Sequence, residues 1–208
     1  MAVIRKSTFL DMHSLLNPGH YCRSGEGQIE WLSATTEGLL LLHLAGYALI
    51  VISHESKAIR GVGQKTMSHE EAALLNHLAV SGIPLSGYFP CPHHHRDTIA
   101  PVAYQYRCRR TDSRSLMQAA CELHVDPQRS WFIGDTLDDM EAGRTAGCRT
   151  ILLMNGQEVH WNMTEQRWPA CIAANMIEAT SLILLTDVDA LLDRTLESLR
   201  FDDEDEAQ

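Results

Sequence analysis

Carboxylates, a hydroxyl and a cluster of cysteine, histidine and arginine residues recur in this sequence just past short apolar runs. Asp11 follows Thr8-Phe9-Leu10, Ser53 follows the run Tyr47 to Ile52, and Gly134-Asp135 follows Trp131-Phe132-Ile133, with Asp138 and Asp139 close behind. In an open parallel sheet, ligands sit beyond the carboxyl ends of the strands. Carboxylates carried by two different strands therefore converge on one crevice. Hard oxygen ligands on short loops suit Mg²⁺, with waters completing its octahedron. An aspartate beside that ion is also a nucleophile toward phosphorus. A hydroxyl such as Ser53 and a guanidinium such as Arg110 are suited to holding phosphoryl oxygens. For one aspartate after one strand, a helix cap or a turn is the commoner role; several such residues in the right order weaken that reading.

The elements that must position these residues alternate along the chain. Short strands are expected at Thr8–Leu10, Tyr47–Ile52, Gly87–Phe89, Trp131–Ile133 and Thr150–Leu153. Helices are expected at Thr35–Ala45, Ala72–Val80 behind a capping box at Ser68 to Glu71, Ser115–Leu123, Asp139–Ala146 and Asp187–Arg200. Strands alternating with helices give parallel βαβ units, and so an α/β fold with a Rossmann-like, doubly wound parallel sheet flanked by helices. No linker divides the chain, so residues 1–200 are expected to form one domain, followed by an acidic, disordered tail at 201–208. The segment 90–114 is a long loop without clear periodicity, rich in Cys, His and Arg, and loops that long are usually functional.

Composition removes other classes. Of the 208 residues, 45% are hydrophobic and 21% charged, an ordinary globular balance. The formal charge is -10, and Asp202, Asp203, Glu204, Asp205 and Glu206 supply half of it. Nucleic-acid binding needs a basic face, which this balance argues against. The longest apolar run, Gly38 to Ile52, is interrupted by His43, Gly46 and Tyr47 and is too short to span a bilayer. Six diffusely spaced cysteines, with Cys121 and Cys148 read as buried free thiols, point to a reducing cytoplasm. A monomer is the default expectation.

Taken together, Phe9-Leu10-Asp11, Ser53, Ile59-Arg60-Gly61, Cys91-Pro92-His93-His94 and Gly134-Asp135-Thr136-Leu137-Asp138-Asp139-Met140 resemble the haloacid dehalogenase (HAD) superfamily. More narrowly, the chain is similar to its heptose bisphosphate and histidinol phosphatase group, over about residues 7 to 155. The resemblance implies a Rossmann-like domain with little or no cap that removes phosphate from a small phosphorylated metabolite. It implies Asp11 as nucleophile, Asp11 and Asp135 as Mg²⁺ ligands with Asp139 supporting the metal, and Ser53 and Arg110 as phosphate holders. Arg60 and Arg109 are implied substrate contacts, although an exposed ion-pair arginine is an equal reading of Arg60. The family also often carries a structural zinc in the Cys/His loop. Cys91, His93 and Cys108 remain here as ligands, Tyr106 stands where a further cysteine is usual, and a metal-free loop is the alternative.

The departures define the functional question. The family's Asp-x-Asp-Gly-Thr is Asp11-Met12-His13-Ser14-Leu15 here, so His13 stands in place of the general acid and base. Histidine is a competent proton carrier near neutrality, but it is bulkier and its cation is disfavoured beside Mg²⁺. The later motifs read Ser53-His54-Glu55-Ser56 and Cys108-Arg109-Arg110-Thr111. Two readings stay open: a Mg²⁺-dependent phosphatase working through an Asp11 phosphoenzyme, and a catalytically degenerate relative acting as a binding or regulatory protein. Two smaller features are read conservatively. Thr186-Asp187-Val188-Asp189 looks like a helix start rather than a second Asp-x-Asp site, and Trp161 and Trp168 look like packing residues.

Overall fold

In a computed structural model, residues 6–15, 34–53, 69–90, 112–156, 158 and 160–205 are described. The strands are β1 (Ser7–Asp11), β2 (Ala48–Ser53), β3 (Gly87–Pro90), β4 (Trp131–Gly134), β5 (Arg149–Leu153) and β6 (Cys171–Ala173). The helices are α1 (Thr35–Leu44), α2 (His69–Val80), α3 (Arg114–Leu123), α4 (Leu137–Ala146) and α5 (Met176–Asp205). The strands form one six-stranded sheet in the order β3-β2-β1-β4-β5-β6, and every pairing is parallel. The expected α/β doubly wound fold is therefore what the chain adopts.

Strand side chains alternate between faces, and here both faces are covered, so the strands read as continuous apolar runs. Leu10, Leu49, Val51, Ile133, Ile151 and Leu153 pack on one face against Leu39 and Leu42 of α1, Leu74 and Leu78 of α2, and Met176, Ala179 and Ile183 of α5. Their neighbours Phe9, Ile50, Ile52 and Phe132 point the other way, onto Leu116, Ala119 and Ala120 of α3 and Ala142 and Ala146 of α4. Close packing of α1 on α5 depends on Gly38, where a Cβ would stand 2.7 Å from Met176 Cγ. The Thr180 hydroxyl donates to the Gly38 carbonyl at the same contact, 3.1 Å.

The strand order reverses direction between β1 and β4. That switch point opens a crevice beyond their carboxyl ends, where Asp11 and Asp135 lie.

The chain departs from its sequence reading mainly in its last third. Strand β6 has three residues, with Ile172 exposed, too little alternation to be legible. Helix α5 begins at Met176, well before the expected Asp187, because Asn175 caps it: Glu178 N–H donates to Asn175 Oδ1 (3.0 Å) and Ala174 N–H to Glu178 Oε2 (2.7 Å). It continues to Asp205, through part of the segment assigned to the tail. Thr186 to Asp189 is thus interior to the helix, not its start. Asp187 there accepts from the Tyr47 hydroxyl (2.7 Å) and pairs with Lys6, tying α5 to the starts of β1 and β2. Trp161 and Trp168 are 49% and 62% exposed rather than packed, and Cys121 is exposed while Cys148 is buried. Ser68 of the expected capping box lies outside the described residues, and the expectation of little or no cap bears on segments 16–33, 54–68 and 91–111, which lie there too. No helix among the described residues is long and apolar enough to cross a membrane.

Candidate active site

Three carboxylates meet in the crevice. Asp11 ends β1, Asp135 follows β4, and Asp139 lies in the first turn of α4; each is 1% exposed. One oxygen from each lies within 4.8 Å of the others.

Each carboxylate is held by its own local structure. Past β1 the chain turns into a short 3-10 segment, His13–Leu15, which folds back on Asp11. The N–H groups of His13 and Ser14 donate to Asp11 Oδ2 at 3.0 and 3.2 Å, and the Ser14 hydroxyl donates to the Asp11 carbonyl at 2.7 Å. Ser14 thus performs, with a hydroxyl, a turn-closing task that needs no Gly-Thr pair. The His13 ring stands beside the same carboxylate, with Nδ1 3.9 Å from Asp11 Oδ2 and the side chain 22% exposed.

Asp139 belongs to a capping box with Thr136. Its Oδ2 accepts from Asp135 N–H (3.2 Å), Thr136 N–H (3.1 Å) and the Thr136 hydroxyl (2.7 Å), while Thr136 Oγ1 accepts from Asp139 N–H (3.3 Å). Gly134 makes this possible, since a Cβ there would stand 2.8 Å from Asp139 Cγ and Oδ2. Asp139 therefore combines two tasks that the sequence presents as alternatives, capping a helix and facing the crevice.

Two further residues were not legible as site residues. Asn155, just past β5, donates from Nδ2 to Asp135 Oδ2 at 3.0 Å. Glu158 accepts from Leu137 N–H (2.7 Å) and His160 N–H (2.8 Å), placing a negative charge at the start of α4 where the helix dipole favours it. The available signal was close to the one that found the aspartates: a polar residue two positions past a strand, here in Asn155-Gly156.

Ser53 ends β2, fully buried. The β1–β2 register pairs Asp11 with Ile52, so Ser53 sits one residue further toward the crevice. Its hydroxyl donates to Glu71 Oε1 at 3.0 Å, and the Tyr88 hydroxyl donates to the same oxygen. Glu71 is 4% exposed. Burial, and then the hydrogen bond to Glu71, push the Tyr88 phenol well above its ordinary range. Sequence reading placed Glu71 in a capping box; the structure turns its carboxylate toward β2 and β3. Arg60, Cys91, His93, Cys108, Arg109 and Arg110 lie outside the described residues.

The donor set decides what the cluster can hold. Three buried carboxylates this close repel one another strongly and call for a counter-charge. Oxygen donors alone, on two short loops, fit a hard divalent cation such as Mg²⁺ and not a thiolate-loving metal. Sequence reading expected this cluster at the ends of β1 and β4, and the structure brings its three aspartates together.

Comparison with known proteins agrees with this geometry. Residues 108–179, which contain β4, Asp135, Asp139 and α4, match the HAD-hydrolase-like family model. The D-glycero-beta-D-manno-heptose-1,7-bisphosphate 7-phosphatase of Pasteurella multocida (strain Pm70) is 29% identical over 158 residues, 75% of this chain and 85% of the relative. The enzyme of that name from Escherichia coli (strain K12) is 26% identical over 161 residues, 76% of this chain and 84% of its own. Among solved structures, the D,D-heptose 1,7-bisphosphate phosphatase from B. bronchiseptica, complexed with magnesium and phosphate, superposes with a TM-score of 0.62 at 19% identity. That superposition covers 87% of this chain and 99% of the other. The sheet order, the switch-point aspartates and these likenesses agree: the chain has the fold of the HAD-like phosphatases and is similar to HAD-like hydrolases in sequence.

Proposed function

We propose that the protein is a Mg²⁺-dependent phosphatase of a small phosphorylated sugar, of the heptose bisphosphate kind that its relatives' names indicate. The observation that carries this reading is the buried triangle of Asp11, Asp135 and Asp139 at the switch point of the sheet. Bound there, Mg²⁺ would neutralise charge on the transferring phosphoryl group. Asp11 is the nucleophile. Its Oδ2 is fixed by two backbone N–H groups, which leaves the reacting geometry set before substrate arrives.

In the first step a carboxylate oxygen of Asp11 bonds to phosphorus, the bond from phosphorus to the sugar oxygen breaks, and that oxygen takes a proton from His13. In the second step a water oxygen bonds to phosphorus and gives a proton to His13 as the Asp11–phosphorus link breaks. The nearness of the His13 ring to Asp11, Nδ1 to Oδ2 3.9 Å, supports this role. Asn155 and Thr136 position Asp135 and Asp139. Ser53 sits at the phosphoryl end of the crevice, with Arg110 as a second phosphate holder and Arg60 and Arg109 on the substrate. Zinc held by Cys91, His93 and Cys108 completes the reading; metal analysis after chelation and dialysis checks it.

A second reading, a degenerate relative that binds without turnover, is favoured by two observations: a histidine occupies the acid position, and the Ser53 proton is committed to Glu71. One experiment separates the two. Purified protein is assayed with Mg²⁺ against sugar phosphates beside Asp11→Asn and His13→Asp. Turnover that Asp11→Asn abolishes establishes the phosphatase. An inert wild type that gains activity through His13→Asp establishes the degenerate relative. Absence of both hydrolysis and calorimetric Mg²⁺ binding refutes both.

A further inference from the structure

We infer that a cavity at the pole of the sheet opposite the carboxylates is a second binding site, for a phosphoryl dianion. The inference goes beyond the phosphatase reading and does not depend on it.

The strands all run the same way, so the residues that lead into β1, β4 and β5 gather at the edge away from Asp11 and Asp135. Lys6 precedes β1, Trp131 opens β4 and Arg149 opens β5. Trp131 pairs with Thr8 on one side and with Arg149 on the other, and side chains alternate along each strand, so Lys6, Trp131 and Arg149 share one face. That face is the one α5 covers, and α5 reaches this end of the sheet at Asp187. Together with Gln128 and Arg129 of the turn before β4, these residues line a cavity of about 200 Å³. Pockets for drug-sized molecules run roughly 300–1,000 Å³, so this one suits a smaller ligand.

Its charge selects an anion. Three cations, Lys6, Arg129 and Arg149, face one carboxylate, Asp187, a surplus of two in a chain whose formal charge is -10. Asp187 is engaged by Lys6 and the Tyr47 hydroxyl rather than by an arginine. Elsewhere the protein occupies its own arginines: Arg114 pairs with Asp112, Arg144 donates to the Trp168 carbonyl, and Arg167 pairs with Asp138 and Glu141. Arg129 and Arg149 have no carboxylate or carbonyl partner of this kind among the described residues, and both line the cavity.

Arg149 is also held in place. Its guanidinium lies over the Trp131 ring, 5.4 Å from the centroid, and Trp131 is only 4% exposed. A guanidinium stacked by its face presents its N–H donors at its edge, and that fork matches two oxygens of a phosphoryl group. A phosphoryl dianion balances the surplus of two and has oxygens enough for both arginines and the Lys6 ammonium.

The full chain, kept free of Mg²⁺ by chelator, is treated with phenylglyoxal, and labelling of each arginine is followed by peptide mass spectrometry. Chelation takes away the cation that phosphate needs in the carboxylate crevice. Inorganic phosphate is expected to slow labelling of Arg129 and Arg149 several-fold and to leave Arg114 and Arg144 unchanged, while chloride at matched ionic strength protects none of them. By calorimetry, Arg149→Gln is expected to weaken phosphate binding roughly tenfold, the low end for a hydrogen bond to a charged group because solvent reaches the site. Arg149→Lys, which keeps the charge and loses the fork, falls between, and Arg144→Gln binds as the wild type does. A hexose 6-phosphate that protects at lower concentration than phosphate marks an ester as the ligand; otherwise the ligand is inorganic phosphate. Equal protection of all these arginines, equal protection by chloride, or a folded Arg149→Gln with wild-type phosphate affinity overturns the inference, as does absence of phosphate binding under chelation. Should Arg149→Gln not fold, the wild-type labelling and Arg129→Gln carry the same test. A protein that shows this protection but neither turnover nor Mg²⁺ binding loses the phosphatase reading and keeps the second site.

Discussion

Replacing Gly134 with alanine tests whether the carboxylate cluster is as tightly built as its geometry indicates. Gly134 ends β4 directly beneath Asp139, and a Cβ added there would stand 2.8 Å from both Cγ and Oδ2 of that residue, and closer still to its Cβ. Ordinary contact begins near 3.4 Å. The Asp139 carboxylate cannot swing aside without giving up donors from Asp135 N–H, Thr136 N–H and the Thr136 hydroxyl. The chain must either move the first turn of α4 or break those bonds. Overpacking costs about 1–3 kcal/mol, and loss of one hydrogen bond to a charged group costs about 1.5–3 kcal/mol. A combined loss of about 3 kcal/mol lowers Tm by about 6–12 °C for a chain of this length. Displacing one carboxylate of a triangle closed to 4.8 Å also weakens Mg²⁺ binding, by about tenfold on the scale of disturbed metal-site support. Urea unfolding and Mg²⁺ calorimetry measure the two effects. Gly82→Ala is the control: with φ +71 and nothing within 4 Å, it carries only backbone strain, about 1 kcal/mol, and leaves Mg²⁺ affinity alone. Wild-type stability and Mg²⁺ affinity in Gly134→Ala would refute the reasoning.

Three other outcomes are expected. Asp187→Ala strips partners from the Tyr47 hydroxyl and Lys6; because the group is partly exposed it costs about 1 kcal/mol in urea unfolding. Stability is expected to fall as pH rises above 10, because burial holds the Tyr47 and Tyr88 phenols above their ordinary value of 10.0. The unfolded chain then releases these protons at lower pH than the native one, so alkali favours unfolding; in Tyr47→Phe and Tyr88→Phe the unfolding midpoint is expected to depend less on alkaline pH. Iodoacetamide at pH 8 is expected to label the exposed Cys121 quickly and Cys148 only on unfolding, as seen by peptide mass spectrometry; burial pushes the Cys148 thiol up to about 12.

The parallel sheet was legible because both of its faces are buried. Phe9-Leu10 and Ala48 to Ile52 show no polar alternation, and only a strand covered on two sides tolerates that. The aspartates were legible because the ends of such strands are where ligands meet the sheet. What escaped depends on where side chains point. Asn175 and Glu178 carry a capping signature, yet the acidic residues at Asp187 and Asp189 suggest a later start, and the Asp187 carboxylate instead serves the tyrosine that leads into β2. Glu71 reads as a capping residue from spacing alone, and only the pairing of β2 with β3 reveals that Ser53 and Tyr88 both donate to it. Asn155 contacts Asp135 because β5 lies beside β4, a relation that one-dimensional spacing does not carry.

The pairing of β1 with β4 has a consequence for how the protein is made. Between these strands the chain runs through α1, β2, α2, β3 and α3 before returning to the centre of the sheet. A nascent chain that has produced only its first half holds Asp11 but not its partners, and the closure of that long loop is an entropic cost that local contacts do not offset. A cation in the finished triangle binds the native chain and not these earlier forms, and at a hundred times its dissociation constant it adds about 2.7 kcal/mol to stability. Ion loading thus rewards the pairing that spans the longest stretch of chain in the sheet, and the rate at which Mg²⁺ binding capacity returns during refolding times the meeting of β1 and β4.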